Sequence, residues 1–251
     1  PRARFAERCA EHRGNRKIQR GMEQHWIVKE RNRDLIVFAL GWASDFHAVA
    51  HIRPEGYDIL CTDDYRTIES VDPATVAGYR RIYLFAWSFG VWVSELIFRG
   101  IPFYKTVALN GTPLPVNNRY GIPPKSFAVT LKGIARTGIE AFNRRTFGDF
   151  YDTIAPWLET RPFEEKYEEL CNLFDASAKA YRPSITWSEA VIGLQDIIFP
   201  PDNVKAYWTE ESPATEVQLC PGMPHYPYAD PAIVLSRLHT EQPMQSRRHE
   251  R

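Results

Sequence analysis

Short apolar runs recur along the chain and are separated by polar or amphipathic segments. One early run extends from Leu35 to Leu40 without a charged residue, and similar runs lie at 59–61, 82–85, 107–109, 190–192 and 217–219. Continuous apolar runs rich in branched residues are typical of strands that are buried on both faces of a sheet. Residues 24–29 predict one further strand, which is short and lies at an edge.

Helical patterns lie between most of these strands. They cover 44–51, 72–79, 89–99, 202–209 and 229–239. Strands that alternate with helices form a mostly parallel sheet flanked by helices, so the expected class is α/β. One region, about 114–187, interrupts the alternation. It contains no clear strand, and its segments 126–137, 138–145 and 163–180 are helical in composition. We expect this region to be a helical cap inserted over one end of the sheet.

The composition is that of an ordinary soluble globular protein. The 251 residues are 44% hydrophobic, 25% charged and 13% aromatic, which fits one domain with an inserted subdomain and excludes a disordered chain. No apolar run reaches the roughly 18–20 residues of a membrane-spanning helix. The Arg-rich beginning lacks the apolar core of a secretory signal. The four cysteines form no C-x-x-C pair, which argues against disulfide frameworks and zinc sites and favours a cytoplasmic location.

The overall charge of zero conceals basic ends. Residues 1–21 contain seven Lys or Arg and two acids, so we expect a basic, disordered N-terminal arm, and residues 241–251 form a polar tail. The remaining 22–240, the expected α/β domain, contains 21 basic and 27 acidic residues. A nucleic-acid-binding role would depend on the arm alone. We therefore expect neither a nucleic-acid nor a membrane partner.

The best chemical signal is the segment Ala86-Trp87-Ser88-Phe89-Gly90, which follows a buried strand and begins a helix. This is the context of a nucleophile elbow, a sharp strand–turn–helix that raises a serine above the sheet. The usual pattern is Gly-x-Ser-x-Gly, and a methyl group at the first small position is a mild departure. The alternative is a helix start that is merely capped by serine.

An acid and a histidine follow the serine in the order that such a hydrolase requires. His225 lies in a proline-flanked loop directly after the last predicted strand, and Asp196 lies directly after the strand before it. Catalytic side chains belong on loops that a rigid sheet holds in place. Asp202 competes with Asp196, but it occupies the first turn of a helix, where acids are favoured for another reason. His239 ends a predicted helix and His249 lies in the tail, so we prefer His225.

The loop after the first long strand predicts the oxyanion hole. In hydrolases with such an elbow, this loop and the residue after the nucleophile each donate a backbone N–H, here those of Trp42 and Phe89. Trp42 and Trp87 are also candidate substrate-binding residues, although both fit the core equally well. The expected chemistry is ester hydrolysis, in which His225 takes the proton of Ser88 and the acid orients the imidazole. No metal or organic cofactor is required.

Several motifs, in their order along the chain, resemble one family. They are Gly41-Trp42, Trp87-Ser88-Phe89-Gly90, Asn110-Gly111-Thr112-Pro113, Tyr120-Gly121-Ile122-Pro123 and Arg144-Arg145-Thr146-Phe147-Gly148. The pattern is similar to that of BioG-type pimeloyl-acyl-carrier-protein methyl ester esterases, from about Leu35 to Leu238. The resemblance implies an α/β-hydrolase that cleaves the methyl ester of pimeloyl-acyl carrier protein in biotin biosynthesis. It assigns nucleophile, acid and base to Ser88, Asp196 and His225.

The insertion carries a basic cluster that fits an acidic partner such as an acyl carrier protein. Residues 117–145 contain six basic residues and one acid, Glu140. The candidate carrier-binding residues are Arg119, Lys132, Arg136, Arg144 and Arg145. The alternative is a solvated helix face that is balanced by the acidic run at 159–169.

Two other functions stay open from the sequence. A general carboxylesterase or thioesterase of the same fold would use the same three side chains and would differ only in its substrate. A non-catalytic, ligand-binding homologue is the alternative of another class, although such proteins usually lack one of the three.

Overall fold

The computed structural model describes residues 21–158, 160–179 and 181–238. The polar tail, His239 and all of the predicted basic arm except Gly21 lie outside the described residues. Seven strands form one sheet, and each coincides with a strand that the sequence predicts. They are β1 (Glu23–Val28), β2 (Asp34–Ala39), β3 (Tyr57–Asp63), β4 (Arg81–Trp87), β5 (Lys105–Leu109), β6 (Glu189–Gly193) and β7 (Glu216–Cys220).

The strands lie in the order β1-β3-β2-β4-β5-β6-β7. Only β1, at one edge, runs antiparallel to its neighbour β3, and the other five pairings are parallel. Strands β2 to β6 are buried along almost their whole length, which agrees with their uninterrupted apolar sequences. Strand β7 differs from the buried strand that its sequence predicts, because it pairs with one neighbour only and leaves Leu219 41% exposed.

Seven α-helices are present in the described part of the chain. They are α1 (Phe89–Ile97), α2 (Pro124–Thr137), α3 (Glu140–Phe147), α4 (Tyr151–Leu158), α5 (Phe163–Ala176), α6 (Pro201–Glu210) and α7 (Ala232–Leu235). Helices α1 and α6 match the predictions closely, and α7 is much shorter than the predicted 229–239.

Two predicted helices are wrong. The segments 44–51 and 72–79 contain only single 3₁₀ turns, Phe46–Ala48 and Pro73–Thr75. Each turn is capped by an aspartate whose side chain accepts a backbone N–H two residues later, at 3.0 Å for Asp45 and 2.9 Å for Asp72. These bonds cap the start of each turn but do not extend it, and helices of one or two turns are too short to be stable alone.

Helices α2 to α5 lie between β5 and β6, and we call them the insertion helices. No strand interrupts them in the described residues of this region, as the sequence predicts. Helix α4 was not predicted, and it contains Pro156, an internal proline of the kind that normally argues against a helix. Helix α5 ends at Ala176, four residues before the predicted 163–180.

The return from the insertion to the sheet is attached to α1. The buried carboxylate of Glu95 accepts hydrogen bonds from the backbone N–H of Ser184 at 2.5 Å, from that of Ile185 at 2.9 Å and from the indole of Trp187 at 2.8 Å. A buried carboxylate with several donors is satisfied and holds its donors firmly. The helix that begins after Ser88 therefore also fixes the end of the insertion.

No helix in the described ranges is long and apolar enough to cross a membrane. Cys61 is a buried free thiol, and Cys220 is a half-buried one.

Candidate active site

Ser88 lies at a sharp turn between β4 and α1. Its φ of 59° and ψ of −125° are unusual for a residue with a side chain. Two glycines permit this turn. A Cβ atom on Gly90 would lie 2.2 Å from the carbonyl oxygen of Ala39, and one on Gly111 would lie 2.4 Å from that of Ser88. The close contact between strand and helix thus requires glycine at the second small position of the elbow.

Ala86, at the first small position, tolerates its methyl group for a structural reason. It is fully buried and is paired with Ala39 on β2 and with Ala108 on β5. Three small side chains therefore lie side by side across the sheet beneath the elbow. At Gly90 a side chain would clash with the backbone of β2. The alanine that replaces the usual glycine at position 86 does not disturb the elbow.

The three residues predicted to form a triad lie in contact. The Nε2 atom of His225 is 3.0 Å from the hydroxyl oxygen of Ser88, and its Nδ1 atom is 2.8 Å from Oδ2 of Asp196. All three residues are buried. When Nδ1–H donates to the carboxylate, Nε2 is left as an acceptor for the serine proton. The arrangement can move a proton from Ser88 to the imidazole.

The topology explains how distant residues meet. Ser88 follows β4, Asp196 follows β6 and His225 follows β7, and parallel strands deliver their carboxyl ends to one edge of the sheet. Asp196 is oriented by two backbone N–H groups, which donate to its Oδ1 from Ile198 at 2.7 Å and from Phe199 at 2.9 Å. Its competitor in the sequence, Asp202, lies in the first turn of α6.

The imidazole of His225 is held from two sides. The indole N–H of Trp87 donates to the backbone carbonyl of His225 at 2.8 Å. The ring of Phe199 stacks on the imidazole with an interplanar angle of 4° and a centroid distance of 5.9 Å. Trp87 also contacts the pocket above Ser88. The Trp87 indole therefore also supports His225. The sequence predicted Trp87 only as a substrate-binding residue.

Asn110 is a positioning residue that we did not identify from the sequence. Its side-chain amide nitrogen donates to the carbonyl oxygens of Pro224 at 2.8 Å and His225 at 2.9 Å. Its side-chain oxygen accepts the backbone N–H of Gly193 at 2.7 Å. One side chain thus joins the loops that carry the acid and the base. The sequence did offer one indication of this role, because Asn110 directly follows a buried strand and so lies at the same edge of the sheet as Ser88.

The segments predicted to form the oxyanion hole lie on either side of Ser88. Gly41 is so close that a Cβ atom there would lie 3.0 Å from Cβ of Ser88. Phe89 is the first residue of α1, so its N–H has no acceptor within the helix. The Trp42 indole donates to the carbonyl of Lys166 on α5 at 2.6 Å, which ties this loop to the insertion.

A narrow, mainly apolar pocket of about 100 Å³ opens above Ser88. It is lined by Trp42, Trp87 and Phe89, as the sequence predicts, and by His225. The insertion and the loop after β6 supply further apolar walls that the sequence did not reveal, namely Ile122, Phe127, Phe142, Leu170, Ile197 and Ile198. The polar side chains of the lining include Ser126, Thr130, Arg145 and Thr146.

The five predicted carrier-binding residues occupy different environments. Arg145 lines the pocket, and Lys132 and Arg136 are exposed on α2. Arg119 is paired with Glu210 at 2.6 Å, and Arg144 is paired with Glu140 at 3.0 Å. The structure therefore separates two arginines whose charges are compensated by acids from the basic residues on α2 and at the pocket.

Two relatives resemble this chain over most of its length. An uncharacterized protein from Haemophilus influenzae is 36% identical over 187 residues, which cover 73% of this chain and 86% of that protein. A Bacteroides fragilis protein described as malonyl-[acyl-carrier protein] O-methyltransferase is 32% identical over 180 residues, or 70% of this chain. The match spans only 36% of that longer protein.

A solved structure shares the architecture. The crystal structure of BioG from Haemophilus influenzae superimposes with a TM-score of 0.72 and 33% sequence identity, over 81% of this chain and 94% of that one. The α/β-hydrolase fold predicted from the sequence is confirmed. The family described as "Pimeloyl-ACP methyl esterase BioG" matches residues 22–228, which include the whole site described above. The chain therefore belongs to the BioG family of α/β-hydrolases.

Proposed function

We propose that this protein is a serine hydrolase that cleaves the methyl ester of pimeloyl-acyl carrier protein, releasing methanol and pimeloyl-acyl carrier protein for biotin biosynthesis. The observation that carries the proposal is the pair of hydrogen bonds of His225, at 3.0 Å to Ser88 and 2.8 Å to Asp196. They occur in a chain whose match to the BioG family covers residues 22–228.

The first half of the reaction forms an acyl-enzyme. The Ser88 oxygen attacks the ester carbonyl carbon while Nε2 of His225 takes the hydroxyl proton. Asp196 keeps the imidazole in the required tautomer and stabilises its charged form. The oxyanion of the tetrahedral intermediate accepts hydrogen bonds from the backbone amides of Trp42 and Phe89. When this intermediate collapses, the imidazolium gives its proton to the departing methoxide, and methanol leaves.

The second half repeats these steps with water. His225 takes a proton from the water as its oxygen attacks the acyl carbon bound to Ser88. Collapse of the second tetrahedral intermediate returns this proton from His225 to the serine oxygen and releases the carboxylic acid, which loses its own proton to solvent. One imidazole carries every proton that moves to or from Ser88, so the mechanism requires no metal or organic cofactor.

The features that support a carrier-bound substrate lie on the insertion helices. Lys125, Val129, Lys132 and Arg136 follow one another at helical spacing on α2, and all four are exposed. Ser126 and Thr130, and hence the neighbouring face of α2, line the pocket. A basic stripe with an exposed valine at the mouth of the pocket suits an acidic carrier that delivers its acyl chain to Ser88.

The relatives support the same class of substrate. The description of the Bacteroides fragilis protein refers to methyl transfer onto an acyl group held by a carrier protein. Removal of a methyl group from a carrier-bound acyl ester is the complementary reaction. Because the chain spans only 36% of that protein, its description supports the substrate class and does not transfer as an activity.

The test compares three proteins on pimeloyl-acyl carrier protein methyl ester, with methanol release as the readout. We expect turnover by the wild type, none by Ser88→Ala, and normal turnover by Ser94→Ala, a control on the same helix. The Ser94 hydroxyl donates within its own helix, to the carbonyl of Gly90 at 2.7 Å. A wild type that hydrolyses p-nitrophenyl acetate and spares the carrier-bound ester would instead be a general esterase. A wild type without activity on either ester, whose Ser88 resists a fluorophosphonate, would be a non-catalytic homologue.

A further inference from the structure

The pocket above Ser88 has a buried interior and an exposed rim. The insertion contributes large, buried apolar side chains to the interior, namely Ile122, Phe127, Phe142 and Leu170. Other lining residues are exposed, and they come from α2, α3 and the loop after β6, namely Ser126, Arg145 and Ile197. An acyl chain that is joined to a carrier must leave the pocket where its lining meets solvent. We call these three exposed residues the pocket exit.

Helix α3 extends from the interior to the exit. Phe142, Arg145 and Thr146 all line the pocket, and their spacing of three and four positions places them on one face of the helix. Phe142 and Thr146 are buried, whereas Arg145 is exposed. The aliphatic stem of an arginine can lie along an apolar wall while its guanidinium stays in water. The helix therefore places a cation at the end of an apolar pocket.

The guanidinium of Arg145 has hydrogen-bonding capacity to spare. Among the described residues that line the pocket, Arg145 alone carries a permanent charge. Its Nε donates to the carbonyl of Ala141 at 3.3 Å, and no acid in the described ranges pairs with it. The neighbouring Arg144, in contrast, is paired with Glu140. A guanidinium has five N–H donors, so both terminal nitrogens of Arg145 can donate to a ligand.

The proposed substrate has two acyl groups. Ser88 attacks the methyl ester, and five methylene groups separate that ester from the thioester that joins the chain to its carrier. When the methylene groups lie along the apolar walls, the far acyl group is the next polar group toward the exit. A guanidinium donates to carbonyl oxygens, and it binds a carboxylate more strongly through two parallel hydrogen bonds. A free monomethyl ester of the same dicarboxylic acid presents such a carboxylate.

We propose that Arg145 binds the far acyl group of a dicarboxylic substrate at the pocket exit, and that the enzyme therefore also hydrolyses free monomethyl esters of dicarboxylic acids. The proposal rests on the hydrolase function proposed above and adds a second substrate for the same site. The ester and water give methanol and the dicarboxylate by the same two half-reactions, and one proton goes to solvent. Arg145 then contacts the acyl chain, whereas the sequence predicts a contact with the carrier.

The first test compares two esters of equal chain length. Monomethyl pimelate ends in a carboxylate, and methyl heptanoate ends in a methyl group. We expect the wild type to hydrolyse monomethyl pimelate, with methanol release as the readout. Arg145→Met keeps an apolar stem, and it should raise KM for monomethyl pimelate by about fivefold to tenfold, because an exposed but bidentate ion pair is lost. Its KM for methyl heptanoate should change by less than about twofold. An equal change for the two esters would refute the proposal.

Two further variants serve as controls. Arg145→Lys keeps the charge but loses the planar fork, so it should retain part of the preference for the carboxylate. Arg53→Met is the matched control, since Arg53 is also exposed, its Nε donates to the nearby carbonyl of Ala50 at 2.8 Å, and it does not line the pocket. It should leave both KM values unchanged. A rise in KM for monomethyl pimelate as large as that in Arg145→Met would show general attraction of anions and would contradict a direct contact.

Chain length provides a test that requires no variant. Monomethyl esters of succinic, adipic, pimelic and sebacic acid place the carboxylate at increasing distances from the ester. In the wild type, KM should pass through a minimum at the length that joins Ser88 to Arg145, and in Arg145→Met this minimum should disappear. A KM that falls steadily with chain length in both proteins would show apolar burial alone, and would overturn the inference.

The carrier-bound ester separates this inference from the function on which it rests. Methyl pimeloyl-pantetheine has the thioester but no carrier protein, and Arg145→Met should raise its KM as well. A KM effect confined to the carrier-bound ester would instead assign Arg145 to the carrier. A wild type that cleaves the carrier-bound ester but no free dicarboxylic monoester would refute the inference and leave the proposed function standing. Arg145-dependent cleavage of free monoesters without cleavage of the carrier-bound ester would do the reverse.

Discussion

The side-chain amide of Asn110 donates a hydrogen bond to the backbone carbonyl of His225 at 2.9 Å, across 115 positions of the chain. The same side chain accepts the N–H of Gly193, three residues before Asp196, at 2.7 Å. The distance between the acid and the base is therefore set by a residue that touches neither functional group.

Replacement of Asn110 by alanine should affect both stability and turnover. It removes the side-chain partner of the buried Gly193 N–H and of the Pro224 carbonyl, whereas the His225 carbonyl keeps the Trp87 indole, and the loss costs about 1–3 kcal/mol of unfolding free energy. It also loosens the His225 loop, so we expect kcat to fall by about tenfold. Thermal melting and ester hydrolysis measure the two effects. Asn32→Ala, which removes a bond to Asp58 near the amino ends of the strands, should lower stability without lowering kcat.

The assignment of the acid can be tested by a pair of matched variants. Asp196→Asn keeps the shape of the side chain but permits the wrong imidazole tautomer, and kcat should fall by about 10³–10⁴-fold with little change in KM. Asp202→Asn removes only an acid from the first turn of α6, and we expect kcat to stay near that of the wild type. If the two variants behaved in the opposite way, the acid would be Asp202.

The two small positions of the elbow should differ in their tolerance. At Gly90 an added methyl group would lie 2.2 Å from a backbone carbonyl oxygen, so Gly90→Ala should lower the unfolding free energy by at least about 1–3 kcal/mol and abolish turnover. Ala86→Gly removes a methyl group from a row of alanines and should cost only about 0.5–1 kcal/mol. Denaturant unfolding of both variants measures the difference, and equal tolerance at the two positions would show that strand and helix can separate.

The exposed basic residues of α2 should affect the KM of the carrier-bound substrate and not that of a small ester. The double variant Lys132→Glu/Arg136→Glu should raise KM for the carrier-bound methyl ester by about tenfold and should reduce its dependence on salt, because long-range attraction is lost. Hydrolysis of p-nitrophenyl acetate should be unaffected.

The paired arginines provide the comparison for that prediction. Arg119→Gln and Arg144→Gln remove charges that Glu210 and Glu140 already compensate. We expect each to change KM by less than about twofold, as exposed ion pairs contribute little. A larger increase in KM for Arg119→Gln than for the α2 double variant would indicate that the carrier protein binds nearer to α6.

The sequence predicted the candidate site well where its residues directly follow predicted strands. Ser88, Asp196 and His225 each come after their own strand, and the rule that parallel strands end at one edge was enough to bring them together. The sheet was predictable for the same reason, since the apolar run of β2 is visible without any knowledge of its neighbours. Local pattern failed at 44–51, where the turn that Asp45 caps ends at Ala48 and no further helical turn follows.

Contacts that do not follow from the order of the strands could not be predicted. Glu169 appears in an ordinary amphipathic pattern of α5, and nothing in that pattern reveals that its carboxylate meets the N–H of Ala43, 126 residues away. Asn110 was visible as part of a motif, but its partners lie in loops whose register depends on the whole sheet. Such contacts depend on how the insertion helices and the loops pack on the sheet. The pattern of residues along the chain does not indicate that packing.

The attachment of Ser184, Ile185 and Trp187 to Glu95 has a consequence for engineering. A chimaera that exchanges the insertion between homologues should take Glu95 and its three donors from the same parent, which places the downstream junction before Ser184. A junction after Trp187 would pair the donors of one homologue with the helix of the other and would weaken the attachment of the exchanged region.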